Sequence, residues 1–135
     1  MVEKTRNGGE WTEARFTSFV KSALRGARWP PRYQSIRAAK VGYGLYQCAI
    51  CGTIGPPTLP PEEGKKARRN NATADHTDPV VDPRVGFVDW NTFIERLYVE
   101  VDGFQCLCHK CNKEKMLEEI AIRKETRNSQ SKEED

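Results

Sequence analysis

Residues 104–115 read Phe104-Gln105-Cys106-Leu107-Cys108-His109-Lys110-Cys111-Asn112-Lys113-Glu114-Lys115: a short apolar run, a CxxC pair, and then helix-forming residues. A second pair, Cys48-x-x-Cys51, lies upstream with 56 residues between the two. A two-residue spacer lets both sulfurs of a knuckle reach one ion at ~2.3 Å. Four thiolates make a closed tetrahedral site with no open position, so the expectation is one structural Zn²⁺ per chain on Cys48, Cys51, Cys108 and Cys111. An ion closing so long a loop couples binding to folding, and chelation is expected to unfold the domain. Cys106 falls outside the knuckle spacing and reads as a small core hydrophobe.

At 135 residues the chain has room for one domain with a modest core. Hydrophobic residues make up 37% and charged residues 30%, a polar balance that fits a core assisted by metal. No apolar run approaches the ~18 residues of a membrane span, and the opening MVEKTRNGGEW lacks the apolar stretch of a secretory signal. The expectation is a soluble, cytoplasmic protein in which paired cysteines bind metal and do not form disulfides. The net charge of +3 divides unevenly: residues 1–47 carry nine Lys/Arg against three Asp/Glu, and residues 48–135 carry thirteen against sixteen. The basic end is the expected nucleic-acid surface.

Outward from the knuckles, residues 1–10 read as a disordered start. Phe16, Phe19, Val20 and Leu24 recur at helical spacing, predicting a first helix over 11–24. Pro30-Pro31 is expected to stop it before a short helix around 33–41. Leu45 to Gly52 reads as a strand entering a tight turn, and 56–73 as a charged, proline-rich loop. Ala74 to Val81 is β-prone and broken by Pro79. Trp90, Phe93, Ile94 and Leu97 form a helical stripe behind Asp89 as N-cap. Residues 104–108 read as a strand, and 112–127 as a helix with Leu117 and Ile120 inward. The chain is thus divided into a basic helical extension (1–44), a zinc-stapled domain (45–127) and a disordered tail (128–135).

The order CxxC, then Asp75-His76-Thr77-Asp78-Pro79, then Phe104 to Lys115 with Asn112 directly after the last cysteine, resembles the HNH, or ββα-metal, nuclease family. The likeness extends to short HNH proteins of tailed bacteriophages, through RFTSFVKSALR and PVVDPRVGFVDWNTFIERL. It covers residues 11 to about 119. It implies an α+β fold: a ββα-metal HNH core stapled by the four-cysteine zinc site, with N-terminal basic helices.

Residue by residue, the resemblance makes His76 the general base that deprotonates a water for attack on a phosphodiester, a role suited to a neutral imidazole. Asp75 and Asn112 become oxygen ligands of a catalytic Mg²⁺ or Mn²⁺, and Lys115 a phosphate contact. Gly103 stands where the motif's middle Asn is usual, which leaves the brace for His76 to Asp102 or Asn91. Further phosphate contacts are expected from Arg15, Lys21, Arg25, Arg28, Arg32, Arg37 and Lys40, and from the second basic cluster Lys65, Lys66, Arg68 and Arg69. The resemblance thus implies a DNA endonuclease that nicks, a monomer or weak dimer, working in the host cytoplasm if phage-encoded. The competing expectation is a zinc-stabilised DNA-binding module without catalysis, or an accessory to a phage protein partner such as the DNA-packaging machinery.

Overall fold

Asn7-Gly8-Gly9 reverses the chain near its start, all three with positive φ (52°, 64° and 85°). Glycine reaches that region without penalty, and Asn tolerates it best among the rest. The turn joins β1 (Lys4–Arg6) to β2 (Trp11–Thr12), so residues 4–12 form an antiparallel ribbon where the sequence predicts disorder. Glu13 fastens the ribbon by accepting from Thr5 Oγ1 at 2.6 Å and Arg6 Nε at 3.0 Å. A computed structural model describes residues 2–134, with side chains through 129.

Helix α1 (Glu13–Gly26) starts where Thr12 Oγ1 accepts the Arg15 N–H at 3.2 Å. Helix α1 ends at Gly26, ahead of Pro30-Pro31 as expected, and the pair itself opens helix α2 (Pro30–Ala38), which starts and ends three residues before the predicted 33–41. First-turn residues have no intrahelical acceptor to lose, so the pair starts a helix as readily as it ends one. Strands β3 (Lys40–Gly42), β4 (Leu45–Gln47) and β5 (Ile54–Gly55) make a small antiparallel sheet. Within the predicted loop, β6 (Thr58–Leu59) and β7 (Arg69–Asn70) pair as a ribbon.

The pairing that positions the site joins β8 (Thr73–His76) to β9 (Phe104–Leu107), antiparallel, with Asp75 opposite Gln105 and His76 opposite Phe104. Between them come α3 (Trp90–Leu97) and a 3₁₀ turn at Val101–Gly103; after them comes α4 (His109–Glu134). Asp89 caps α3, accepting the Thr92 N–H at 2.7 Å. The fold is therefore α+β, mixing helices with small antiparallel sheets. Helix α4 runs past the predicted end at 127 and through the predicted tail as far as Glu134; Asp135 lies outside the described residues. Leu117, expected inward, is 53% exposed, whereas Ile120 is half-buried as expected.

Two small cores result. One packs Leu107, without exposed surface, against Cys48, Cys108 and Cys111. The other packs Val80, Phe93 and Leu97 with Leu24, Trp90 and Tyr98. Helix α1 is tied to the second core by Tyr98 Oη, which donates to Leu24 O at 2.7 Å, and the α1–α2 turn by Trp29 Nε1, which donates to Val99 O at 2.6 Å.

Candidate metal centre and the Asp75–His76 cleft

The first knuckle is a turn that needs one left-handed residue, Gly52 at φ 73°. There the Gly52 N–H reaches Cys48 O at 3.0 Å and the Cys48 N–H reaches Thr53 O at 3.0 Å. The Ala49 N–H donates to Cys106 O at 2.9 Å, which docks this knuckle onto β9 beside the second. The second knuckle is the start of α4, where Cys108 Sγ accepts the Cys111 N–H at 3.5 Å as an N-cap oxygen would. Asn71 supports the same end, its Oδ1 accepting the His109 N–H at 2.9 Å. The sequence alone suggested no role for either Asn71 or Thr53.

The four sulfurs of Cys48, Cys51, Cys108 and Cys111 lie within 4.8 Å of one another, and Cys51 and Cys108 are 3.7 Å apart. A tetrahedron with ~2.3 Å metal–sulfur bonds separates its sulfurs by about 3.8 Å, so the cluster has the size and donors for a metal such as zinc. Hydrogen bonds from Thr53 hold the Cys51 thiol down at about 6, whereas burial pushes Cys111 up to about 12. A bound cation removes that asymmetry by favouring all four thiolates. Cys106 is buried beside the cluster without joining it, and burial raises its thiol.

His76 ends β8 where α3 leaves an unpaired carbonyl. Its Nε2 lies 2.9 Å from Leu97 O, in the last turn of the helix. A carbonyl only accepts, so Nε2 carries the proton and Nδ1 keeps its lone pair. The ring packs on Phe104 with centroids 4.6 Å apart. Desolvation is the main influence on the imidazole and lowers its pKa below 6.5; Arg32 and Arg25 act the same way, against the Leu97 hydrogen bond and Asp75. The expected braces, Asp102 and Asn91, are exposed, and neither hydrogen-bonds His76. The Leu97 carbonyl serves in their place, while Gly103 O holds the next residue, accepting the Thr77 N–H at 3.0 Å. A Cβ at Gly103 would stand 2.5 Å from Val99 Cγ2 and 2.7 Å from its Cβ, which is why no Asn fits here.

Asp75 Oδ2 accepts from Lys115 Nζ and, at 3.2 Å, from Gln105 Nε2, while Lys115 also donates to His76 O at 2.8 Å. Lys115 thus neutralises Asp75, where the family resemblance turned it toward a phosphate. Asp75 and His76 line a cleft of about 170 Å³ together with Arg25, Glu119 and Arg123; Asn112 does not line it. Nothing in the sequence singled out Glu119 or Arg123, although both follow Lys115 at helical spacing along α4.

The basic residues are dispersed. Arg25 and Arg32 reach the His76 region. Lys21 lies over Phe87, Arg15 over Trp11, Arg28 over Tyr33 and Lys40 over Tyr43, while Arg37 is simply exposed. In the second cluster, Arg68 and Arg69 hydrogen-bond Thr58 Oγ1 and Pro60 O at 3.0 Å each, Lys65 pairs with Glu62 at 3.3 Å, and Lys66 is exposed. The two arginines fasten the β6–β7 ribbon.

Comparison with protein-family models, with curated proteins and with solved structures gave no match for this chain. Among the described residues, no helix is long and apolar enough to cross a membrane.

Proposed function

We propose that the chain is a metal-dependent DNA endonuclease of the HNH type, with His76 as general base. The observation that carries this reading is the state of His76: Nε2 is committed to Leu97 O, Nδ1 is free, and the ring borders a cleft containing two carboxylates and two guanidiniums. An imidazole kept neutral by burial takes a proton from water at neutral pH. The water oxygen then bonds to phosphorus as the phosphorus–O3′ bond breaks, and the departing oxygen takes a proton from solvent, leaving 5′-phosphate and 3′-hydroxyl ends. Asp75 and Asn112 offer the hard oxygens that Mg²⁺ or Mn²⁺ prefers, and a divalent ion on Asp75 would take over the neutralising role of Lys115. When bound, that ion would supply charge stabilisation at the phosphate and the departing oxygen. The zinc centre does no chemistry in this scheme; it fixes the start of α4 against β9.

The arrangement of Gly103, of Lys115 on Asp75 and of Asn112 off the cleft favours the second reading, a zinc-stabilised DNA-binding module without catalysis. One experiment separates the two. Zinc-loaded wild type and His76→Ala are incubated with supercoiled plasmid and Mg²⁺ or Mn²⁺. Nicking by the wild type, reduced about 10²- to 10⁴-fold in the variant, supports the endonuclease. DNA binding by both without cleavage by either supports the module.

A further inference from the structure

Three arginines from three separate elements meet at His76. Arg25 and Arg123, from α1 and α4, line the cleft with Asp75, His76 and Glu119. Arg25 also lines an adjoining crevice with His76 and Arg32 of α2. None of the three arginines has a salt-bridge partner among the described residues. Asp75 is already neutralised by Lys115, so the two guanidiniums of the cleft face one remaining carboxylate, Glu119, and Arg32 adds a third cation from the adjoining crevice. Arg25 feels the crowding: desolvation first, then Arg32 and Arg123, lower its pKa. Like charges converging from positions this far apart in the chain repel one another, and an anion between them relieves that repulsion.

We propose that Arg25, Arg32 and Arg123 form a phosphate-binding site on the rim of the Asp75–His76 cleft, which grips a nucleic-acid backbone phosphate next to His76. Guanidiniums suit the task because their planar fork matches phosphate oxygens and their charge does not switch off. The site rests on the nucleic-acid reading of the cleft and adds the residues that would register a strand against His76. It also gives the basic N-terminal helices a defined contribution, through two of their arginines. Arg123 joins them from the far end of the chain, where the overall charge is negative.

The test uses the full zinc-loaded chain without Mg²⁺, so that binding is read apart from cleavage. Fluorescence anisotropy with a fluorescein-labelled DNA duplex, over a salt series, compares wild type with Arg25→Gln, Arg123→Gln and Lys124→Gln. Arg123 is exposed on α4, so its variant tests the site even if Arg25→Gln, whose guanidinium lies 5.6 Å from the Phe93 ring, disturbs the second core. Each arginine variant is expected to bind about ten-fold more weakly and to lose about one unit of salt slope, with Lys124→Gln close to wild type. Competition by inorganic phosphate forms the second arm. Displacement of duplex by phosphate in the wild type but less in Arg123→Gln supports the site. Phosphate binding without duplex binding overturns the backbone assignment. Unchanged affinity and slope in Arg123→Gln overturn the site, even if plasmid nicking depends on His76. The reverse pattern, arginine-dependent binding with no cleavage, leaves the site standing and removes the nuclease.

Discussion

The cysteine centre and the Asp75–His76 cleft share β9 and α4, yet they are built on opposite principles. The centre is made of four like ligands whose spacing is local, with each knuckle supplying two sulfurs from one turn. The cleft is made of unlike groups, and almost every partner comes from another element: Leu97 O from α3, Gln105 from β9, Lys115 and Arg123 from α4, Arg25 from α1. An ion held by the four sulfurs would fix the first by coordination; hydrogen bonds and packing fix the second. The centre should therefore fail all at once and the cleft by degrees.

The largest effect tests the first half of that contrast. Chelation, or Cys111→Ser, is expected to remove the metal and the cooperative unfolding transition with it, since apparent structural zinc affinities are of order 10 kcal/mol, as large as the whole stability of a typical domain. Metal analysis alongside far-ultraviolet circular dichroism checks it. A chain that still melts cooperatively without metal would break the contrast, because the two apolar cores would then suffice.

Next in size is Gly103→Asn, which places the motif's residue beside His76. The new Cβ meets Val99 at 2.5 Å, so overpacking is expected to cost roughly 1–3 kcal/mol, and Val99→Ala in the same chain should recover much of it. Urea denaturation of the three proteins gives the answer. Wild-type stability in Gly103→Asn would mean that the cleft tolerates the motif and that packing does not explain the glycine.

A smaller change probes how the N-terminal helices contribute. Trp29→Phe deletes the N–H that donates to Val99 O at 2.6 Å but keeps a ring against Tyr98, 5.4 Å away between centroids. The expected cost is about 1 kcal/mol, with zinc stoichiometry unchanged. A parallel fall in metal content would show that the two regions are not separable.

Legibility in the sequence divides along the same line. The CxxC spacing, the α3 helix with its Asp89 cap, and the strand before each knuckle are short-range patterns, and each lies where the periodicity places it, although Ile94, expected in the core with the rest of the α3 stripe, is 39% exposed. What the sequence did not disclose depends on long-range contacts or on residues that serve two ends equally well. Pro30-Pro31 lies beyond the end of one helix and also opens the next, and Asn7-Gly8-Gly9 makes a turn where polarity alone reads as disorder. Lys115 lies at the family's spacing, but only the pairing of β8 with β9 shows that Asp75 is within its reach. The identity of Gly103 is visible in the sequence, whereas the neighbour that enforces it, Val99, emerges only from the 3₁₀ turn.

The smallest expected effect is the most direct reading of the cleft's electrostatics. The folded chain disfavours protonated His76, chiefly by desolvation, so its midpoint should lie below 6.5 in an NMR titration of zinc-loaded protein without Mg²⁺. Stability shifts with it: the unfolded chain takes up the proton near 6.5 and the folded chain only at lower pH, so acidification through that window favours unfolding. Replacing Arg25 with Gln removes one of the cations opposing protonation and should raise the midpoint, by less than desolvation lowers it. A His76 midpoint at or above 6.5 would mean that Asp75 and the Leu97 carbonyl outweigh burial and the arginines. The ring's state would then be set by its charged and hydrogen-bonding partners and not by burial, and the contrast between a coordinated centre and a cleft pre-set by packing would lose its second half.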